Sequence, residues 1–128
     1  MLSDFPVHPT LPATDLERAR AFYEGRLGLV AQVVLPGGVI YGSADGTILT
    51  VFPTSGRSSG SHTQASWQVT GIEAVVADLT ARGVVFEAYD FPTLKTVDGI
   101  AQTGPNRAAW FKDSEGNLLG LIEFAEPV

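Results

Sequence analysis

The sequence predicts an α+β fold built from two successive βαβββ modules. Three observations carry this. A helical segment with the same start, stripe and stop occurs twice. Each copy is preceded by an extended segment and followed by strand-like runs. A Ser/Gly-rich stretch, Thr54 to Ser61 with four Ser and two Gly, separates the copies as a linker. The boundaries are about 5–54 for module one, 54–61 for the linker and 62–126 for module two, within one domain spanning 1–128.

The elements follow in order. Val7–Ala13 reads as the first strand. Thr14-Asp15-Leu16-Glu17 opens the first helix in a capping-box pattern, Leu16, Ala19, Tyr23 and Leu27 form its apolar stripe, and Gly28 ends it. Leu29–Leu35, Val39–Ser43 and Thr47–Pro53 read as strands, parted by Gly37-Gly38 and Ala44-Asp45-Gly46. In the second half Thr63–Val69 is the leading strand. Thr70-Gly71-Ile72-Glu73 repeats the box, Ile72, Val75 and Leu79 the stripe, and Gly83 the stop. Val84–Ala88, Ala108–Lys112 and Leu118–Phe124 are the strands that follow. A loop spans Tyr89 to Arg107, and Asp113 to Asn117 forms the closing turn. One module could not cover both faces of its sheet, so the two are expected to pack as a unit.

Composition narrows the function classes. The chain has 128 residues, 45% hydrophobic, and no Cys. This excludes a disulfide scaffold, a Cys-ligated metal site and a thiol nucleophile. No apolar run reaches the roughly 18 residues of a membrane span, and Met1 to Pro9 has no secretory pattern, so a cytoplasmic address is expected. A net charge of −6 with scattered Lys and Arg argues against nucleic acid. It mildly favours a neutral or cationic small ligand. Gly37-Gly38 and Gly56-x-x-x-Gly60 lack the Lys and hydroxyl of a phosphate loop, and no nucleophile elbow or hydrolytic carboxylate pair is present.

Two motifs carry a resemblance. Asp15 to Tyr23 with Leu27-Gly28-Leu29, and Trp110 to Leu119 with Asp113-Ser114-Glu115-Gly116-Asn117, resemble the first helix and closing hairpin of the vicinal oxygen chelate superfamily. That superfamily includes glyoxalase I, extradiol dioxygenases, and fosfomycin- and bleomycin-resistance proteins. The resemblance covers about Pro6 to Phe124. It implies pseudo-symmetric modules whose curved mixed sheets enclose a small-molecule cavity, and a homodimer. It also implies a divalent metal held by two His and one or two Glu. The positions carried over are His8, Thr50, Gln64 and Gly120. Only His8 matches a strong ligand, and no carboxylate remains to balance a divalent ion. Glu123 is expected to point to the opposite face, and His62 to lie one step from Gln64 along the strand.

The expected function is therefore small-molecule binding of the glyoxalase/bleomycin-resistance type without a complete metal site or cofactor, sequestering a drug-like or metabolite ligand. His8, Thr50 and Gln64 would fix the ligand, and Gly120 would leave room where the metal Glu normally stands. Trp110 is the cavity aromatic by its mid-strand place, whereas Trp67 should face away from Gln64. His8 and Gln64 stand 56 positions apart but Thr50 and Gly120 stand 70 apart, so the second half carries about 14 extra residues. These fall in the 89–107 loop, read as a lid or an edge contact, with Tyr89, Asp90 and Lys95 as its candidate ligand contacts. The alternatives are a metal-dependent lyase, isomerase or dioxygenase using His8 with unusual partners, and a structural dimer with a filled interior.

Overall fold

The structure is a computed structural model and describes residues 1–126. Both modules form. After a short 3-10 turn at Leu2–Asp4, module one consists of β1 (Thr10–Ala13), α1 (Leu16–Arg20), β2 (Val30–Leu35), β3 (Gly38–Gly42) and β4 (Ile48–Pro53). Module two consists of β5 (Thr63–Gln68), α2 (Ile72–Ala81), β6 (Asp90–Phe91), β7 (Leu94–Val97), β8 (Ile100–Thr103), β9 (Asn106–Lys112) and β10 (Leu118–Glu123). The first sheet has strand order β1-β4-β3-β2 and the second β5-β10-β9-β8-β7-β6. In each, the leading strand lies parallel to the last and the rest are antiparallel.

Strand alternation decides which side is core. Leu11, Ala13, Val39, Tyr41, Leu49 and Val51 of the first sheet, and Ala109, Phe111, Leu119 and Leu121 of the second, are buried with Ala19, Tyr23, Ile72 and Val76 of the helical segments. One apolar cluster thus spans both modules. Fully burying a side chain of this kind contributes about 1.5–3 kcal/mol. The residues between them, such as Ile40, Thr50, Phe52 and Trp110, lie on the face away from the helices and are half-buried.

Four local expectations are corrected. The capping boxes do not form. Asp15, not Thr14, caps α1, accepting from the Arg18 N–H at 3.0 Å. The α2 cap is Gly71 in the left-handed region, at φ 67°. In both cases a carboxylate from the second sheet's closing hairpin takes over: Glu115 accepts from the Asp15 N–H, and Glu123 from the N–H groups of Gly71 and Ile72. Glu73 is drawn off to Arg107 instead.

The first helix does not continue as α. From Ala21 to Arg26 it widens into a π-helical turn, which lets the consecutive Phe22 and Tyr23 both face inward.

Val84–Ala88 is not a full strand but a single bridge, Phe86 to Phe111, supported by Glu87 N–H donating to the Trp110 carbonyl at 2.8 Å. Finally, Tyr89 to Arg107 is not a loop. It folds into β6, β7 and β8, turning at Pro92-Thr93, Asp98-Gly99 and Gly104-Pro105. At the second turn Asp98 and Gly99 both have positive φ (53° and 81°), the backbone a tight hairpin requires. The extra residues are therefore paired meander at the sheet edge, interrupting what would otherwise be one strand alongside β9.

Candidate functional site

The parallel register brings Thr10 beside Thr50 in the first sheet and Ser66 beside Gly120 in the second. These are the pseudo-equivalent central positions on the face away from the helices. At Gly120 a Cβ would lie 2.9 Å from Ser66 Oγ, which would have to turn away, and in ordinary contact with Trp110 Cδ1 at 3.5 Å.

Gln64 stands in a β-bulge, because β10 pairs Leu118 with Thr63 and then Leu119 with Ala65. Its amide is engaged through both heavy atoms. Oε1 accepts from Ser58 Oγ at 2.7 Å and the Leu118 N–H at 3.3 Å, and Nε2 donates to Asn117 Oδ1 at 3.1 Å. Gln64 thereby ties the linker to the closing turn.

His8 precedes β1 and is half-buried. Its Nδ1 accepts from the Ile48 N–H at 3.2 Å. That bond fixes the neutral ring with its proton on Nε2. His8 therefore offers its cleft a donor. To ligate a metal through Nε2 the ring would have to carry its proton on Nδ1, against the Ile48 N–H. Glu123, the other conceivable ligand, is held at the α2 N-terminus with Arg107, and its carboxyl lies below the usual range mainly because Arg107 bonds it. His62 is exposed beside Ser61.

Trp110 and Tyr89 do meet, edge to face with ring centroids 5.6 Å apart, and Phe91 stacks on Tyr89 at 6.0 Å. Lys95 does not join them. It pairs with Asp90 across the β6–β7 hairpin and lies with Val97 on the side facing α2.

The motif residues Asp113, Glu115 and Asn117 are all buried and knit the modules together. Tyr23 Oη donates to Asp113 Oδ2 at 2.5 Å, and the N–H groups of Glu115 and Asn117 both donate to Asp113 Oδ1 at 2.8 Å. Asn117 Nδ2 reaches the Pro12 carbonyl at 2.9 Å. Arg18 Nε donates to Glu115 Oε2 at 2.7 Å, and chiefly for this reason the Glu115 carboxyl is held at about 2. Burial pushes the Tyr23 hydroxyl far up.

The open volume beside His8 is a cleft of about 360 Å³ where the N-terminus of β1 passes the far end of β5. Ser43, Asp45, Ser66, Trp67 and Gln68 border it. Trp67 is the aromatic that sequence reasoning passed over. It borders the His8 cleft and packs with Ala65 against the shared core, beyond the bulge at Gln64. One face of its ring stacks on Phe111 at 6.4 Å. The alternation of β5 carried no sign of the cleft beside Trp67.

The donor set is poor for a divalent ion: an imidazole presenting N–H, threonine and serine hydroxyls, an engaged amide and, at the cleft border, the single carboxylate of Asp45. Among the described residues no cluster of three or more His, Asp or Glu could hold one.

Paired βαβββ modules sharing one core give this chain the fold of solved glyoxalase/bleomycin resistance protein/dioxygenase structures. A glyoxalase/bleomycin resistance protein/dioxygenase from Alicyclobacillus acidocaldarius is similar with TM-score 0.72 at 17% identity, over 96% of this chain and 93% of that one. A protein of the same description from Nocardioides gives 0.66 at 20%, over 97% and 87%. The fosfomycin resistance protein FosX from Listeria monocytogenes gives 0.69 at 16%, over 93% and 92%. No protein-family model and no curated protein matches the sequence.

Proposed function

We propose that the chain is a small-molecule binding protein of the glyoxalase/bleomycin-resistance type that acts without a divalent metal, holding its ligand by burial and hydrogen bonds. The observation that carries this reading is the Ile48 N–H to His8 Nδ1 bond, which commits the one strong metal-ligand residue to hydrogen-bond donation. The neighbouring hydroxyls of Ser43 and Ser66 and the amide of Gln68 add orienting groups, the usual composition of a binding cleft. The reading includes a homodimer. Its support is the edge strand β2, where Val30, Val34 and Leu35 are each more than half exposed and no charged residue guards the edge.

The test is metal analysis of protein purified without chelator, paired with ligand-observed NMR against a small-molecule library in the presence of EDTA. Metal well below one equivalent per chain, and binding that persists in EDTA, are expected. One equivalent of zinc, manganese, nickel or iron, lost on His8→Ala, would establish the metal-dependent alternative.

A further inference from the structure

On the helix side of the molecule a second opening of about 490 Å³ lies between α2 and the segment joining α1 to β2. Its walls are apolar: Leu27, Leu29, Trp67, Val69, Val75 and Leu79. All six border the shared apolar cluster yet stay only partly buried, so they are core side chains lacking a cover. The volume falls within the roughly 300–1,000 Å³ of pockets for drug-sized ligands. Trp67 and Ser43 line both this groove and the His8 cleft, so the two openings adjoin at the indole ring.

We infer that the groove and the His8 cleft form one bipartite site for a neutral, flat, largely apolar molecule carrying a single carbonyl-type acceptor. The apolar body lies against Trp67 and the α2 side chains Val75 and Leu79, and the oxygen accepts from His8 Nε2–H. The inference rests on the binding reading above and adds the place and the ligand class. Three features select the occupant. Trp67 provides a flat aromatic wall. His8, with Nδ1 already bonded to Ile48, supplies a donor and no lone pair. Neither opening is bordered by Lys or Arg, whereas Asp45 borders one and Asp78, already paired with Arg82, the other, so a carboxylate would find no lining cation to pair with.

The test uses a matched series on the whole protein: 2-acetylnaphthalene, 2-ethylnaphthalene without the acceptor, and 2-naphthoate with an anionic one. The chain has two Trp, so its two indole N–H signals are assigned with a Trp67→Phe variant. The ketone is expected to move the Trp67 signal and to bind about three- to tenfold more tightly than the hydrocarbon, the range for one neutral hydrogen bond. His8→Leu should remove that advantage and leave the hydrocarbon's affinity unchanged. Ala74→Phe, which plants a ring on the exposed α2 position bordering the groove, should abolish both. The naphthoate should bind more weakly than either.

Ketone binding that survives Ala74→Phe, or that moves only the Trp110 signal, overturns the groove while leaving small-molecule binding intact. Equal affinity of ketone and hydrocarbon, or preference for the naphthoate, overturns the ligand class. No binding of any of the three overturns this site, whereas the metal-free reading is decided separately by metal content and library binding in EDTA.

Discussion

At the scale of single residues, His8 and Glu115 show how neighbours decide a side chain's chemistry. His8 stands just before β1 in the position that the family resemblance marks for a metal ligand, but a backbone N–H from β4 occupies its Nδ1. In a nitrogen-15 NMR spectrum the neutral His8 ring should therefore be the Nε2–H tautomer. A Nδ1–H ring would remove the basis of the binding proposal. Glu115 is only 1% exposed and receives bonds from Arg18, the Asp15 N–H, Thr14 and Ser114. Its folded value of about 2 lies below the ordinary 4.5. A depressed carboxyl stabilises the fold fully above its ordinary value and loses that contribution as pH falls toward the folded one. Denaturant midpoints should thus decline between pH about 4.5 and 2. Glu115→Gln should flatten that decline and lower stability at pH 7 by about 2–4 kcal/mol, since Arg18 is half exposed and only one partner is deeply buried.

Helix starts and strand edges are where elements depart from their local signals. Both Thr-x-x-Glu boxes are present in sequence, yet the role of the box Glu passes to a carboxylate more than fifty residues away, Glu115 behind the Asp15 cap of α1 and Glu123 at α2. A capping box competes with every other partner that packing brings near, and here the tertiary carboxylates win. Glu123→Ala should cost about 1–2 kcal/mol through the two orphaned N–H groups of α2 and the loss of one of Arg107's two carboxylate partners, measurable by chemical denaturation. An unchanged midpoint would mean that solvent caps α2 equally well. The helices, the strands of module one, and β5, β9 and β10 were legible from stripe, alternation and turn residues. The β6–β8 meander was not, although Asp98-Gly99 is the same hairpin signal that correctly marked Asp45-Gly46. Its strands are two to four residues long, too short for alternation to stand out. Register was legible, since Thr50 and Gly120 hold equivalent places in their sheets, but of the expected contacts only His8 borders the cleft. Whether Gln64 is free or engaged depends on Ser58 and Asn117, which only folding brings to it.

For the whole molecule, the duplication gives two sheets that share one interior rather than two independent units. Phe22 of module one lies 6.5 Å from Phe111 of module two, and Tyr23 links Tyr41 of its own sheet, 5.7 Å away by ring centroids, to Asp113 of the other. Apolar contact and a buried hydrogen-bonded turn thus couple the modules at the same place. The buried Tyr23 hydroxyl finds its acceptor only if the other module is folded, because that acceptor is an Asp113 carboxylate positioned by the N–H groups of its own turn. Cooperative unfolding follows. Both Trp residues lie in module two, so their fluorescence reports that half, while far-ultraviolet circular dichroism reports both. The two urea transitions should coincide in the parent protein. Tyr23→Phe removes one bond to a buried carboxylate and should lower stability by about 1–3 kcal/mol while keeping the transitions coincident, since the aromatic packing remains. Asp113→Ala leaves the Tyr23 hydroxyl and two N–H groups without their acceptor and should cost more, about 2–5 kcal/mol. If Tyr23→Phe instead separated the two transitions, the Asp113 hydrogen bond rather than the common apolar core would be what joins the modules.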